Sequence, residues 1–158
     1  MGPFLARAAI VLGTVVLMEG LAWAAHKYLM HGWGWGWHRS HHERHDGLLE
    51  KNDLYALVFG ALAFGLILLG GAVPGLYWVG VGFSLYGLLY FILHDGLAHG
   101  RWPFRVTPRN PYLRRLVQAH RLHHATAGRD GAVSFGFLYA PPVRRLADEL
   151  RQRRGDGR

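Results

Sequence analysis

The chain has 158 residues, 51% hydrophobic and 18% charged, and carries a net charge of +8 with its eleven histidines counted neutral. That length suits one domain, spanning residues 1–158. Because there is no cysteine, disulfide frameworks, thiolate metal sites, iron–sulfur clusters and cysteine nucleophiles are excluded, and any bound metal must sit on nitrogen and oxygen.

Residues 4–25 form the first predicted element, an apolar stretch long enough to cross a bilayer once. It carries Arg7 near its start, which can snorkel, and Glu19 inside, which cannot do so cheaply. A signal peptide is the alternative, but the apolar part outlasts a typical h-region and no small-residue cleavage site precedes His26, so it is read as a retained span. Residues 27–53 are a polar linker holding Gly32-Trp33-Gly34-Trp35-Gly36-Trp37. Tryptophan favours the headgroup region, and these three are read as an interfacial anchor.

Residues 54–93 contain no Asp, Glu, Lys or Arg, and that run in helical form reaches roughly 60 Å, the thickness of two bilayer cores. The cluster Gly70-Gly71-Ala72-Val73-Pro74-Gly75 breaks it once, which predicts a helical hairpin over 54–69 and 76–93. A polar tail, 100–158, follows. In it, residues 112–125 read as a helix, and Pro141-Pro142 start a basic helix with Val143, Leu146 and Leu150 on one face. Residues 133–140 are apolar but too short to span as a helix; as a fourth short membrane segment they would lie in the interface or re-enter beside the bundle.

The fold class is therefore all-α, an integral membrane bundle of three transmembrane helices with a histidine-rich cap. Crossing count puts linker and tail on one side, and these hold seventeen of the eighteen Lys and Arg residues. The positive-inside rule makes that side cytoplasmic and the N-terminus external, in the cytoplasmic (inner) membrane. Arg beside a membrane reads as orientation and anionic-lipid contact rather than nucleic-acid binding.

Ten histidines fall into four groups: the pairs His26/His31 and His94/His99, and the triples His38/His41/His42 and His120/His123/His124. On an α-helix, residues i, i+3 and i+4 lie at 0°, about −60° and about +40°, so each HX2HH presents three imidazoles from one face. The HX4H pairs would stand about 140° apart on a regular helix, so either each pair serves two metals or the helix carries a π-type turn there. All four groups share one membrane face and can converge. Ten nitrogen donors exceed the need of one ion and suit two, and ligand type leaves Fe, Zn, Cu and Ni open. Glu19, seven residues before His26, and Asp95, one turn before His99, are candidates to hold a ring N–H or to ligate. His45 belongs to no group and is read as a non-ligand. His42-Glu43-Arg44-His45 has the wrong spacing for a zinc-protease HExxH, and there is no GxSxG, P-loop or dinucleotide fingerprint.

The order HX4H, HX2HH, HX4H, HX2HH, together with His26-Lys-Tyr-Leu-Met-His31, Gly32-Trp-Gly-Trp-Gly-Trp-His38, His94-Asp-Gly-Leu-Ala-His99 and Val133-Ser-Phe-Gly-Phe-Leu-Tyr-Ala-Pro-Pro142, closely resembles the bacterial β-carotene 3-hydroxylases. These belong to the membrane fatty acid hydroxylase/sterol desaturase superfamily. The resemblance runs from the first span to Pro142; the one departure noticed is Arg44-His45-Asp46, where a Pro and basic residues are expected. It implies a non-haem di-iron monooxygenase that uses O2, and electrons from a ferredoxin and its reductase, to convert β-carotene through β-cryptoxanthin to zeaxanthin. The ten family histidines fall on His26, His31, His38, His41, His42, His94, His99, His120, His123 and His124. Zinc could replace the two iron ions with loss of redox activity. A carotenoid rod is soluble only in the bilayer and would enter between helices, where Phe59, Phe64, Tyr77, Trp78, Phe83, Tyr86, Tyr90 and Phe91 are available to line a path. The alternatives are a fatty-acid or sterol hydroxylase or desaturase on the same metal core, and a membrane metal transporter or sensor. The one-ended placement of the histidines argues against transport. Oligomeric state is left open.

Overall fold

The structure is a computed structural model that describes residues 2–43, 47, 49–104 and 106–155. His45, with Arg44 and Asp46, lies outside the described residues. Within them the chain is all-helical: α1 (Pro3–Ala24), α2 (Trp35–His42), α3 (Asp53–Leu69), α4 (Pro74–Tyr90), α5 (Pro111–His123) and α6 (Val143–Gly155). Two helices do not stop at their α-helical ends. α1 continues as a π-helix over Ala25–Trp33, with a kink at Gly32, and α4 continues as a π-helix over Phe91–Ala98. The sequence-based limits at residues 25 and 93 thus fall short, because five-residue backbone bonds such as His99 N–H to His94 O at 2.9 Å prolong both helices.

With those extensions, Pro3–Trp33 and Pro74–Ala98 are long and apolar enough to cross a membrane. α3 is apolar after its first residue, Asp53, but has 17 residues, about 25 Å of helix. Pro74 opens α4 in its first turn, where a missing N–H removes no intrahelical bond. α4 packs against both α1 and α3. Val16, Leu57, Leu68 and other large apolar side chains point outward and are exposed, the surface expected of helices that face lipid.

Close approach between α1 and α4 depends on a small residue. A Cβ at Gly82 would lie 2.6 Å from Thr14 Cβ and 2.8 Å from the Val11 carbonyl oxygen. Small residues at such crossings let backbones meet and gain dispersion contact. Gly82→Ala is expected to force the helices apart and to cost about 1–3 kcal/mol. A lowered midpoint of thermal unfolding in detergent is the readout, and an unchanged midpoint would contradict the packing described.

α5 starts at a capped terminus: the Asn110 side chain accepts from the N–H groups of Tyr112 at 2.8 Å and Leu113 at 3.4 Å, with Pro111 in the first turn. The sequence reading of 112–125 is therefore displaced by a residue or two. α6 covers α5 through a core of Leu116, Ala119, Val133, Ala140, Leu146 and Leu150. Residues 133–140 are irregular. They are held against α1 and the histidines rather than forming another helix.

Candidate metal centre

The ten grouped histidines converge at one end of the bundle. In the π-helical stretches, residues five apart come to the same side, with ring centroids 5.3 Å apart for His26/His31 and 4.6 Å for His94/His99. Of the two readings open for HX4H, the π-type turn is the one found, and each pair stays within one cluster. Two sets of four potential ligand atoms result: His26, His31, His38 and His123, and His41, His94, His99 and His120, with each set's atoms within 4.8 Å of one another. The triples divide. His38 and His123 join the first cluster, and His41 and His120 the second.

His42 and His124 stack on each other at 4.3 Å between the clusters. His42 lies 4.9 Å from His31 and 5.0 Å from His38, whereas His124 lies 4.7 Å from His41 and 4.6 Å from His120. The helical angles explain this: i and i+4 share a side and i+3 turns away from i+4 by about 100°.

Ring orientation is set by acceptors behind the rings. His26 Nδ1 donates to the Phe135 carbonyl at 2.9 Å, His31 Nδ1 to Arg129 at 2.7 Å, His123 Nδ1 to Val133 at 3.0 Å and His42 Nδ1 to Thr126 at 3.0 Å. His38 Nδ1 donates to Asn52 Oδ1 at 2.7 Å. The second cluster uses carboxylates: His41 Nδ1 donates to Glu50 Oε1, and His94 Nδ1 to Asp95 Oδ1, both at 2.7 Å. Arg101 holds Asp53 through two 2.8 Å contacts and reaches Glu50 at 3.4 Å, neutralising part of this acidic backing.

With Nδ1 protonated, each Nε2 presents a lone pair inward. His26 and His38 then meet Nε2 to Nε2 at 3.1 Å, His31 and His123 at 3.1 Å, and His41 and His94 at 3.0 Å. The Nε2 atoms of His42 and His124 are buried without a hydrogen-bond partner. Facing lone pairs repel unless a cation lies among them, and protons are a poor substitute. Burial holds His41, His120 and His123 well below the usual imidazole range, and pushes His38 down to about 3, His42 to about 4 and His124 to about 2. Neutral, pre-oriented imidazoles of this kind suit metal ions.

The sign of the pH effect on metal-free protein follows. Below about pH 6.5 the unfolded chain takes up protons that the folded His38, His42 and His124 refuse until far lower pH, so stability is full above that point and falls with acidification. Chelator-treated protein is expected to unfold at a lower temperature at about pH 5 than at about pH 7.5; the reverse order would contradict burial of neutral rings.

An apolar cavity of about 450 Å³ adjoins the clusters, lined by α1, α3, α4 and Phe137. Phe137 stacks on His26 at 5.3 Å and Tyr90 on His94 at 4.4 Å, so the inner wall backs onto both clusters. Phe64 and Phe91 line the cavity while remaining 61% and 51% exposed, which sets its mouth on the apolar flank of the bundle.

Of the aromatic residues proposed to line a path, Phe59, Phe64, Phe83, Tyr86, Tyr90 and Phe91 border this cavity. Tyr77 and Trp78 do not: they pack on each other near the start of α4, with Arg7 over the Trp78 ring. Asp95 holds the His94 ring N–H. Glu19 touches no histidine ring among the described contacts, and binds Tyr86 and backbone amides of residues 137–139 instead. Trp33 and Trp37 point outward, but Trp35 lies 5.3 Å from His31 and from His42, so one of the three tryptophans walls the centre rather than anchoring in an interface. Sequence reading missed Phe137, Asn52 and Glu50; the last two stand in the polar knot Glu50-Lys51-Asn52-Asp53 just ahead of the hairpin.

Comparison with known proteins agrees with this geometry. The model of the fatty acid hydroxylase family matches residues 11–141. The chain is 61% identical over 151 residues to a β-carotene hydroxylase of Pantoea ananas, covering 94% of this chain and 86% of that protein. It is 58% identical over 144 residues to a β-carotene hydroxylase of Paracoccus sp. (strain N81106 / MBIC 01143), covering 90% and 89%. A chloroplastic β-carotene 3-hydroxylase of Arabidopsis thaliana is 38% identical over 138 residues, covering 84% of this chain and 45% of that protein. No solved structure matches. Histidine spacing, convergent clusters and these relatives together make the chain a member of the fatty acid hydroxylase family, among its β-carotene hydroxylases.

Proposed function

We propose that this chain is a membrane β-carotene hydroxylase that adds hydroxyl groups at C3 of the β-ionone rings, carrying β-carotene through β-cryptoxanthin to zeaxanthin. The observation that carries it is an apolar cavity ending on two clusters of inward-facing imidazole nitrogens. His26, His31, His38, His42 and His123 would hold one iron and His41, His94, His99, His120 and His124 the other. Iron held there supplies the redox chemistry that activates O2 against a C–H bond which no acid or base at neutral pH can open. In balance, RH, O2, two electrons and two protons give ROH and water.

The chain's own residues do the positioning. Asp95, Glu50 and Asn52 fix ring orientation and keep Nε2 free for metal. Tyr90 and Phe137 press a ring end against the clusters and exclude water, and the cavity's volume suits a ring with the first part of its polyene. The remainder would lie between α3 and α4 and in lipid, which Phe64 and Phe91 border.

In this reading residues 1–158 act as one membrane-embedded domain. α1, α3 and α4 cross the inner membrane with the N-terminus outside, and residues 133–140 re-enter as irregular backbone packed on protein, where its polar groups have partners. The histidines and the Arg-rich tail then face the cytoplasm, and an acidic ferredoxin, reduced by its reductase, docks there, which makes turnover sensitive to salt.

Pigment analysis of a β-carotene-accumulating bacterial host tests the assignment. Zeaxanthin is expected when the chain is expressed. Persistent β-carotene beside abundant, folded protein and a competent electron donor would remove the carotenoid assignment.

A further inference from the structure

Glu19 is the only acidic residue of α1, and its carboxylate is saturated by donors outside the histidine clusters. Its Oε1 accepts from the backbone N–H groups of Phe137 at 2.9 Å, Leu138 at 3.0 Å and Tyr139 at 3.0 Å. Its Oε2 accepts from the Tyr86 hydroxyl on α4 at 2.8 Å. The turn is shaped for this oxygen: a Cβ at Gly136 would lie 2.7 Å from Glu19 Oε1 and 2.6 Å from the Tyr139 carbonyl oxygen. Ser134, at φ 60°, takes the left-handed conformation that starts the bend.

The hydrogen-bond acceptors that turn supplies go to one cluster, although its Phe137 ring also meets His94 of the other edge-on at 5.3 Å. The Val133 carbonyl accepts from His123 Nδ1, the Phe135 carbonyl accepts from His26 Nδ1, and the Phe137 ring stacks on His26 with an interplanar angle of 6°. Both histidines belong to the set with His31 and His38. In the other set, His41 and His94 take their acceptors from Glu50 and Asp95, which do not depend on the turn.

The geometry points to Glu19 as a positioning residue that aims ligand rings of the His26/His31/His38/His123 cluster and leaves the ring acceptors of the other cluster in place. By gathering three amides and a tyrosine hydroxyl, it fixes the segment whose carbonyls aim two ligands and whose phenyl ring closes the cavity against them. The role needs an acceptor rather than a charge: a glutamine carbonyl can serve the same amides while its NH2 group meets the Tyr86 oxygen. This inference rests on the two-metal reading.

The test is zinc content of full-length protein purified in detergent, stripped with chelator, reloaded with zinc and dialysed, measured by mass spectrometry against protein concentration. Glu19→Ala is expected to retain about half of the parent's zinc, and Glu19→Gln about all of it. A general loss of folding would not be selective for one site or rescued by the amide. Gly136→Ala pushes the carboxylate out from the other side and is expected to halve zinc too, which keeps the test open if Glu19→Ala is not recovered. Full zinc in both Glu19→Ala and Gly136→Ala, complete loss in either folded variant, or equal loss in Glu19→Gln and Glu19→Ala would overturn the inference. A parent chain that binds only one zinc would instead sink the two-metal reading, whatever Glu19 does.

Discussion

His123→Ala is expected to abolish hydroxylation, with zeaxanthin formed per unit of membrane protein falling well beyond the tenfold to hundredfold loss typical of residues that merely support a ligand. His123 is fully buried. Its Nε2 meets that of His31 at 3.1 Å, and besides its set with His26, His31 and His38 it forms a further group with His42 and His124 that could hold a metal. Alanine would leave a void among neutral rings, withdraw one donor and free the Val133 carbonyl that had oriented it. Metal content should fall with activity while membrane abundance holds. Undiminished zeaxanthin from this variant would mean that the cluster is not the reacting centre.

Glu50→Ala is the second large effect. The Glu50 side chain is 2% exposed and accepts the His41 N–H at 2.7 Å, so its loss orphans a buried donor and lets a ligand ring rotate. A carboxylate behind an imidazole also makes it a more basic ligand, and removing such a partner costs 10–100-fold in metal affinity or activity. Arg101 keeps its two-point contact with Asp53, so the surrounding ion pairs survive the change. Glu50→Gln retains an acceptor and should lose less than Glu50→Ala. Comparing iron retention and product yield across the two variants checks this; equal loss in both would assign the effect to charge rather than to ring orientation.

Much of the centre was legible because helical periodicity turns spacing into direction. HX2HH puts three rings on one face, and the four groups share an end once the hairpin is recognised. The outcome for HX4H was not legible. Whether His94 to His99 winds with four-residue or five-residue bonds is decided by tertiary packing, and nothing in His-Asp-Gly-Leu-Ala-His states it. Backbone acceptors were equally hidden, since the carbonyls of Arg129, Val133 and Phe135 owe nothing to their side chains. Glu19 stands out in the sequence as an acid in an apolar stretch, but sequence separation conceals its donors, the Tyr86 hydroxyl 67 residues away and backbone amides 118 to 120 residues away. That Tyr77 and Trp78 do not border the cavity is hidden too, because aromatic character does not encode which end of α4 meets it. Trp35 departs from its neighbours for the same kind of reason: the kink at Gly32 and the start of α2 turn its ring onto His31 and His42.

The most direct test of the account is the origin of the new oxygen. Iron-loaded protein, supplied with β-carotene, a reduced ferredoxin and 18O2, should yield zeaxanthin with 18O in both ring hydroxyls, and chelated protein should yield none. Hydroxyl oxygen drawn from water, or unchanged β-carotene in the presence of fully loaded protein and reductant, would contradict an O2-dependent hydroxylation at the histidine centre.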